Sequence, residues 1–300
     1  MSQFKNDSTF GARKVSDRII ACVAMTVLTV TLCAQTARAP GDELVQFDSA
    51  AYRVGQLQQR LGRERAETMA EVPRTTIEGY LSKPDGSGPF PAVVYLHGCS
   101  GLFKDTRNRI ADLMTGWGYV SLVVDSFATR DIKQACDGGM PARQADALGA
   151  LLYLSTLAFV DPKRIAVVGS SQGGIVALQL ASTRTVDLFA IRDELKFKAA
   201  VAYYPLCSGA TDQLTIPTII LIGELDDWTP AKDCERWMER RAGKGAAVKL
   251  VIYPGAYHAF DVPSLRDGRR SFGYWLKYDA DAAARSILEM HDFLANQLTK

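Results

Sequence analysis

Three side chains far apart in the chain have the types that acyl transfer needs: Ser171, Asp226 and His258. Ser171 lies in Gly169-Ser170-Ser171-Gln172-Gly173-Gly174, after the apolar run Ile165–Val168 and before a helical pattern. A buried strand that turns through Gly-x-Ser-x-Gly into a helix is the context of a nucleophile elbow. The turn is so tight that only small residues fit two places before and after the serine, here Gly169 and Gly173. It would hold Ser171 above a sheet edge at a helix N-terminus, with the Gln172 N–H facing a carbonyl oxygen as it becomes negative.

A serine hydroxyl is a poor nucleophile until a base takes its proton. The chain has three histidines. His97 ends a central strand and is expected to fix its loop, whereas His291 falls in the C-terminal helix. His258 follows the run Val248–Tyr253 in the loop Pro254–Asp261, where a base can swing over the elbow. It is the predicted base. A carboxylate must fix its tautomer and stabilise the imidazolium. The loop Gly223-Glu224-Leu225-Asp226-Asp227-Trp228 offers Asp226, with Asp227 as the rival, while Glu224 is expected to point elsewhere. Leu96-His97-Gly98-Cys99-Ser100-Gly101 is a Gly-rich loop leaving another strand. The Cys99 N–H would join the Gln172 N–H as the second oxyanion donor.

These loops need a frame. From about residue 76 the chain alternates β-branched runs with helical patterns, the rhythm of a mostly parallel α/β sheet. The predicted strands are Ala92–Leu96, Tyr119–Asp125, Ile165–Val168, Ala199–Tyr204, Thr218–Ile222 and Val248–Tyr253. Thr76–Ser82 is expected to pair antiparallel with a segment near Glu43–Phe47. Helices are predicted at 106–116, 142–158, 172–183, 230–242 and 280–298. Residues 40–300 read as one domain.

The 300 residues are 47% hydrophobic and 23% charged, an ordinary globular balance that excludes disordered, collagen-like and coiled-coil chains. The formal charge of +2 is uneven. Residues 1–39 carry Lys5, Arg13, Lys14, Arg18 and Arg38 against Asp7 and Asp17, leaving 30 basic and 31 acidic residues beyond. No basic surplus remains for a nucleic acid or an anionic membrane. The first 39 residues have the parts of a secretory signal: a basic stretch, an apolar run from Ile19 to Ala34, and the cleavage pattern Ala37-Arg38-Ala39. Leu32-Cys33-Ala34 is an alternative cleavage site. Export to the periplasm or exterior is therefore expected, without stable membrane insertion of the mature chain. Cys99, Cys136, Cys207 and Cys234 remain beyond the leader, which suggests two disulfides with three open connectivities. No metal-binding spacing, Walker loop or dinucleotide fingerprint is present.

Several of these pieces carry a resemblance: Pro89–Gly98, Val124-Asp125-Ser126-Phe127, Gly169–Gly174, Gly223-Glu-Leu-Asp and Tyr253-Pro-Gly-Ala-Tyr-His-Ala-Phe. The chain resembles the α/β-hydrolase fold, with a sheet of about eight strands, and within it the dienelactone hydrolase family, over about residues 76–298. The resemblance implies a cofactor-free hydrolase of small ester or lactone substrates. The namesake enzymes use a cysteine nucleophile in a cytosolic protein, whereas Ser171 takes that position here. The family fold makes the loops of Cys99 and Cys136 neighbours, and likewise those of Cys207 and Cys234, which implies disulfides Cys99–Cys136 and Cys207–Cys234. It also makes Arg130 the counterpart of a substrate-carboxylate arginine. Trp228, Tyr203 and Tyr204 are candidates to line an acyl pocket, while Trp237 is expected in the core. A peptidase on the same fold and a catalytically silent binding protein are the alternative readings. Oligomeric state is not legible in the sequence.

Overall fold

A computed structural model describes residues 42–53 and 74–299, so the expected leader and both candidate cleavage sites lie outside the described residues. Eight strands form one sheet: β1 (Glu43–Asp48), β2 (Thr76–Ser82), β3 (Phe90–Leu96), β4 (Val120–Asp125), β5 (Val160–Ser170), β6 (Ala200–Tyr203), β7 (Thr218–Gly223) and β8 (Val248–Tyr253). Their order is β1-β2-β4-β3-β5-β6-β7-β8. β1 and β2 pair antiparallel, β2 joins β4 antiparallel, and every later pairing is parallel. The central strands are continuous apolar runs because helices cover both sheet faces. Val93, Val94, Val167, Val168, Ile219 and Ile220 are all fully buried. Edge strand β1 instead alternates, with Val45 and Phe47 inward and Leu44 exposed.

The helices are α1 (Lys104–Gly116), α2 (Arg143–Ser155), α3 (Gln172–Leu180), α4 (Thr183–Val186), α5 (Ala231–Arg240) and α6 (Ala280–Leu298). α6 shows why such a segment is helical and where it docks. Asp279 caps its first turn by accepting from the Ala282 N–H at 2.9 Å. Met290, Leu294 and Leu298 then repeat every four residues on the buried face. The predicted helix 172–183 ends early at Leu180, and α4 begins after Ser182.

Parallel strands leave the sheet at one edge, so the loops following β3, β5, β6, β7 and β8 gather there. A small hairpin that the sequence did not announce lies beside them, β9 (Arg269–Ser271) with β10 (Tyr274–Leu276). Its turn is Phe272-Gly273, with φ 51° and 91°. Asn-Gly is the usual sequence for such a two-residue turn, which is why Phe-Gly escaped the sequence reading. Among the described residues no helix is long and apolar enough to cross a membrane.

Candidate active site

The elbow is dictated by its glycines. A Cβ on Gly169 would lie 2.2 Å from the Gly173 carbonyl oxygen, and one on Gly173 would lie 2.1 Å from that of Leu96. Only hydrogens fit there. Ser171, between them, has φ 55° and ψ −116°. Such backbone strain in a residue with a Cβ costs on the order of 1–3 kcal/mol and marks a position held for use. The Ser171 N–H donates to the Tyr203 carbonyl at 2.9 Å, tying the turn to β6.

His258 Nε2 lies 3.0 Å from Ser171 Oγ, and His258 Nδ1 lies 2.7 Å from Asp226 Oδ2. A carboxylate only accepts, so the imidazole proton belongs on Nδ1 and the Nε2 lone pair faces the serine hydroxyl. Asp226 is buried and fully engaged. Its Oδ1 accepts from the N–H groups of Trp228 (3.0 Å) and Thr229 (2.8 Å), and its Oδ2 from the Thr229 hydroxyl (2.9 Å). Asp227, the rival acid, accepts from the Trp275 N–H of the hairpin, and Glu224 accepts from the Gly255 N–H.

A second layer behind the histidine was not read from the sequence. Asp261, three residues after His258, is buried and accepts from the Tyr204 hydroxyl at 2.7 Å and from Arg109 at 3.0 Å. Burial and the Asp261 carboxylate push the Tyr204 phenol well above its ordinary value, so it remains a donor. Burial works against the Arg109 guanidinium, but Asp261 outweighs it and holds the charge more firmly. The Tyr204 ring packs 4.6 Å from the His258 ring. The spacing His258-x-x-Asp261 was the only signal in the sequence, and it needs Tyr204 and Arg109 from distant elements to acquire meaning.

On the other flank, the His97–Gly101 loop passes over the nucleophile: a Cβ on Gly98 would sit 3.6 Å from that of Ser171. Gln172 opens α3, where the first N–H groups have no intrahelical partner. Cys99 is bonded to Cys136, and its carbonyl accepts from the Ala135 N–H at 2.8 Å. Arg143, wholly buried in α2, forks to the His97 carbonyl (2.6 Å) and to Gln172 Oε1 (2.9 Å). Gln172 Nε2 completes the circuit by donating to the Ala135 carbonyl at 3.1 Å. Burial lowers the Arg143 pKa to about 10, which leaves it cationic at neutral pH. His97 Nδ1 lies 2.7 Å from the Gly98 carbonyl, so this histidine fastens the loop. His291 sits on α6 beside Trp117, with its Nδ1 near Asp292.

Arg130 does not fill its expected role as an arginine open to a substrate carboxylate. Both terminal nitrogens bind Asp146 at 2.8 Å, and one also donates to the Ser126 carbonyl at 2.6 Å. Asp146 is completely buried, and a charge there requires a partner. Trp228 does lie at the site, its ring 5.1 Å from that of His258. Tyr203 belongs to the core instead, donating to the Ser286 carbonyl, and Trp237 lies in the core as expected, donating to the Thr211 carbonyl. The second disulfide joins Cys207 to Cys234, both fully buried. No cluster of side chains fit to hold a metal ion occurs among the described residues.

Residues 77–298 match the dienelactone hydrolase family. A Bradyrhizobium protein named "Probable 2-oxo-3-(5-oxofuran-2-ylidene)propanoate lactonase" is 29% identical over 205 residues, 60% of this chain and 77% of that protein. A carboxymethylenebutenolidase homolog of Xenopus tropicalis is 25% identical over 69% of this chain and 89% of its own. Among solved structures, a dienelactone hydrolase-like promiscuous phosphotriesterase from metagenomic libraries superposes with a TM-score of 0.60 at 19% identity, covering 87% of this chain and 100% of that one. An esterase of Pyrobaculum calidifontis gives 0.56 at 16% identity, covering 86% and 85%.

Proposed function

The chain belongs to the dienelactone hydrolase family and is a hydrolase acting on ester bonds, and from that premise we propose a serine mechanism that runs through an acyl-enzyme. The observation that carries the proposal is the continuous relay from Asp226 through His258 to Ser171, built on a strained elbow. His258 takes the Ser171 proton as Oγ attacks the ester or lactone carbonyl. The Cys99 and Gln172 N–H groups receive the oxyanion. His258 returns the proton to the departing alkoxide, then activates a water that releases the acid. His258 is already within hydrogen-bond reach of Ser171 and Asp226, and no step needs a cofactor. The substrate is a small molecule.

We also propose that the mature protein works outside the cytosol. The two disulfides support this, since such bonds persist in oxidising compartments.

Labelling with a fluorophosphonate tests the mechanism without presupposing a substrate. The expected result is one adduct by intact mass, mapped to Ser171 and absent from Ser171→Ala. A folded protein that takes up no label would overturn the serine mechanism and favour a silent binding protein. Hydrolysis of matched amides as fast as esters would favour the peptidase reading.

A further inference from the structure

The β9–β10 hairpin puts an aromatic group where folding gives little reason for one. Phe272 occupies the first turn position with φ 51°, a left-handed conformation that is sterically unfavourable for a residue with a Cβ. It is also 48% exposed, and its neighbour Tyr274 is 36% exposed. Asn or Gly would make the same turn with less strain and leave less apolar surface in water. A strained and exposed phenylalanine is a local inconsistency of the kind that accompanies function.

Its surroundings indicate which function. Tyr274 stacks on Trp228 with centroids 4.9 Å apart and planes 12° apart, and Phe272 lies 5.9 Å from the same indole. Trp228 in turn lies 5.1 Å from the ring of His258. The wall is fixed at both ends. The Trp275 N–H donates to Asp227 at 3.0 Å, and Leu276 bridges His258 by backbone pairing. The same three-residue stretch, Asp226-Asp227-Trp228, therefore supplies the acid, the hairpin anchor and the inner face of the wall.

We infer that Trp228, Tyr274 and Phe272 form a subsite for a flat, π-bearing group on the alcohol side of the substrate. The inference rests on the serine mechanism above. His258 must hand its proton to the departing oxygen, so whatever is attached to that oxygen lies beside His258 and meets this wall. Aromatic faces favour an offset or edge-on ring over an alkyl group of equal size.

Three acetates test the subsite: benzyl, cyclohexylmethyl and methyl. The wild-type protein is expected to prefer benzyl over cyclohexylmethyl acetate in kcat/KM. Phe272→Asn suits the turn, so it keeps the fold and removes the ring. It should lower kcat/KM for benzyl acetate about three- to tenfold, chiefly through KM, and lower it far less for methyl acetate. Equal losses on benzyl and methyl acetate, or no loss on benzyl acetate, would overturn the subsite. So would a wild-type protein indifferent between benzyl and cyclohexylmethyl esters. A binding arm separates this from the mechanism itself. In Ser171→Ala protein, saturation-transfer NMR should show the benzyl ring in contact, and adding Phe272→Asn should weaken that contact by a similar factor. Ring contact in a protein whose Ser171 takes up no fluorophosphonate would sink the Ser171 mechanism and leave the wall standing. Absence of ring contact sinks the wall.

Discussion

On one flank of Ser171, the loop carrying Cys99 is fastened by a covalent bond to Cys136 and by the Arg143 fork. On the other flank, His258 and Asp226 are held by hydrogen bonds from Thr229 and by the Tyr204–Asp261–Arg109 network behind them. The difference follows from what the proposed serine mechanism asks of each side. Oxyanion donors are backbone N–H groups that never titrate, and their worth depends on a fixed position. A rigid brace suits them. In the proposed mechanism His258 gains and loses a proton in each turnover, so its supports must accommodate both states, which hydrogen bonds to an ionised carboxylate do.

The largest expected break in this comparison is on the titrating flank. Asp226→Asn keeps the shape, but with its oxygen held by the Trp228 and Thr229 N–H groups it turns an amide N–H toward Nδ1, so the wrong tautomer faces Ser171. A fall in kcat on the order of 10⁴-fold is expected, with the circular dichroism of the fold retained. A loss of only a few-fold would mean that Asp226 is not the partner that orients the base.

The two disulfides supply a cleaner contrast, because they close similar lengths of chain. Their sequence separations of 37 and 27 predict nearly equal stabilisation, about 4 kcal/mol each from loop-closure entropy. Removing either by paired alanine substitution should lower Tm by a similar amount, roughly 10 °C for a chain of this size. Activity should separate them. Cys99→Ala with Cys136→Ala frees the proposed oxyanion loop and should reduce kcat about tenfold, part of what the loss of a whole donor would cost. Cys207→Ala with Cys234→Ala should leave kcat near wild type well below the lowered Tm. Equal losses of activity would show that bracing of the Cys99 loop is not what the first disulfide contributes.

How much of this was readable beforehand divides along the same physical line. Gly169, Ser171 and Gly173 declare the elbow locally, because strand, turn and helix are consecutive and the steric demand is written into small residues. The central strands were legible for a similar reason: strands buried on both faces become long apolar runs. Arg143 was not legible. It stands in a helix of ordinary pattern, and its partners His97 and Gln172 are distant in sequence and engage it through a backbone carbonyl and a side-chain amide. Arg130 misled for the converse reason. Its position matched a ligand arginine, but the fully buried Asp146 that claims it is invisible until α2 is packed. Phe272 hid because its turn breaks the usual Asn-Gly rule.

The smallest expected effect concerns the one histidine on the braced flank. His97 is wholly buried, and burial, reinforced by the nearby Arg143 cation, holds its pKa well below the ordinary 6.5. Asp125, 3.9 Å away, is too distant to reverse this. The folded protein therefore keeps His97 neutral, while the unfolded chain binds a proton at that position below about pH 6.5. The unfolded state then holds more protons, so stability rises with pH up to about 6.5 and falls as the solution becomes more acidic. The slope from this single group is at most about 1.4 kcal/mol per pH unit. His97→Asn, whose amide can still reach the Gly98 carbonyl, should flatten the dependence of unfolding free energy on pH between 5 and 6.5 by up to that amount. Denaturant titrations at several pH values measure it directly. An unchanged slope would mean that His97 is not held neutral, and the braced flank would then contain a titrating group after all.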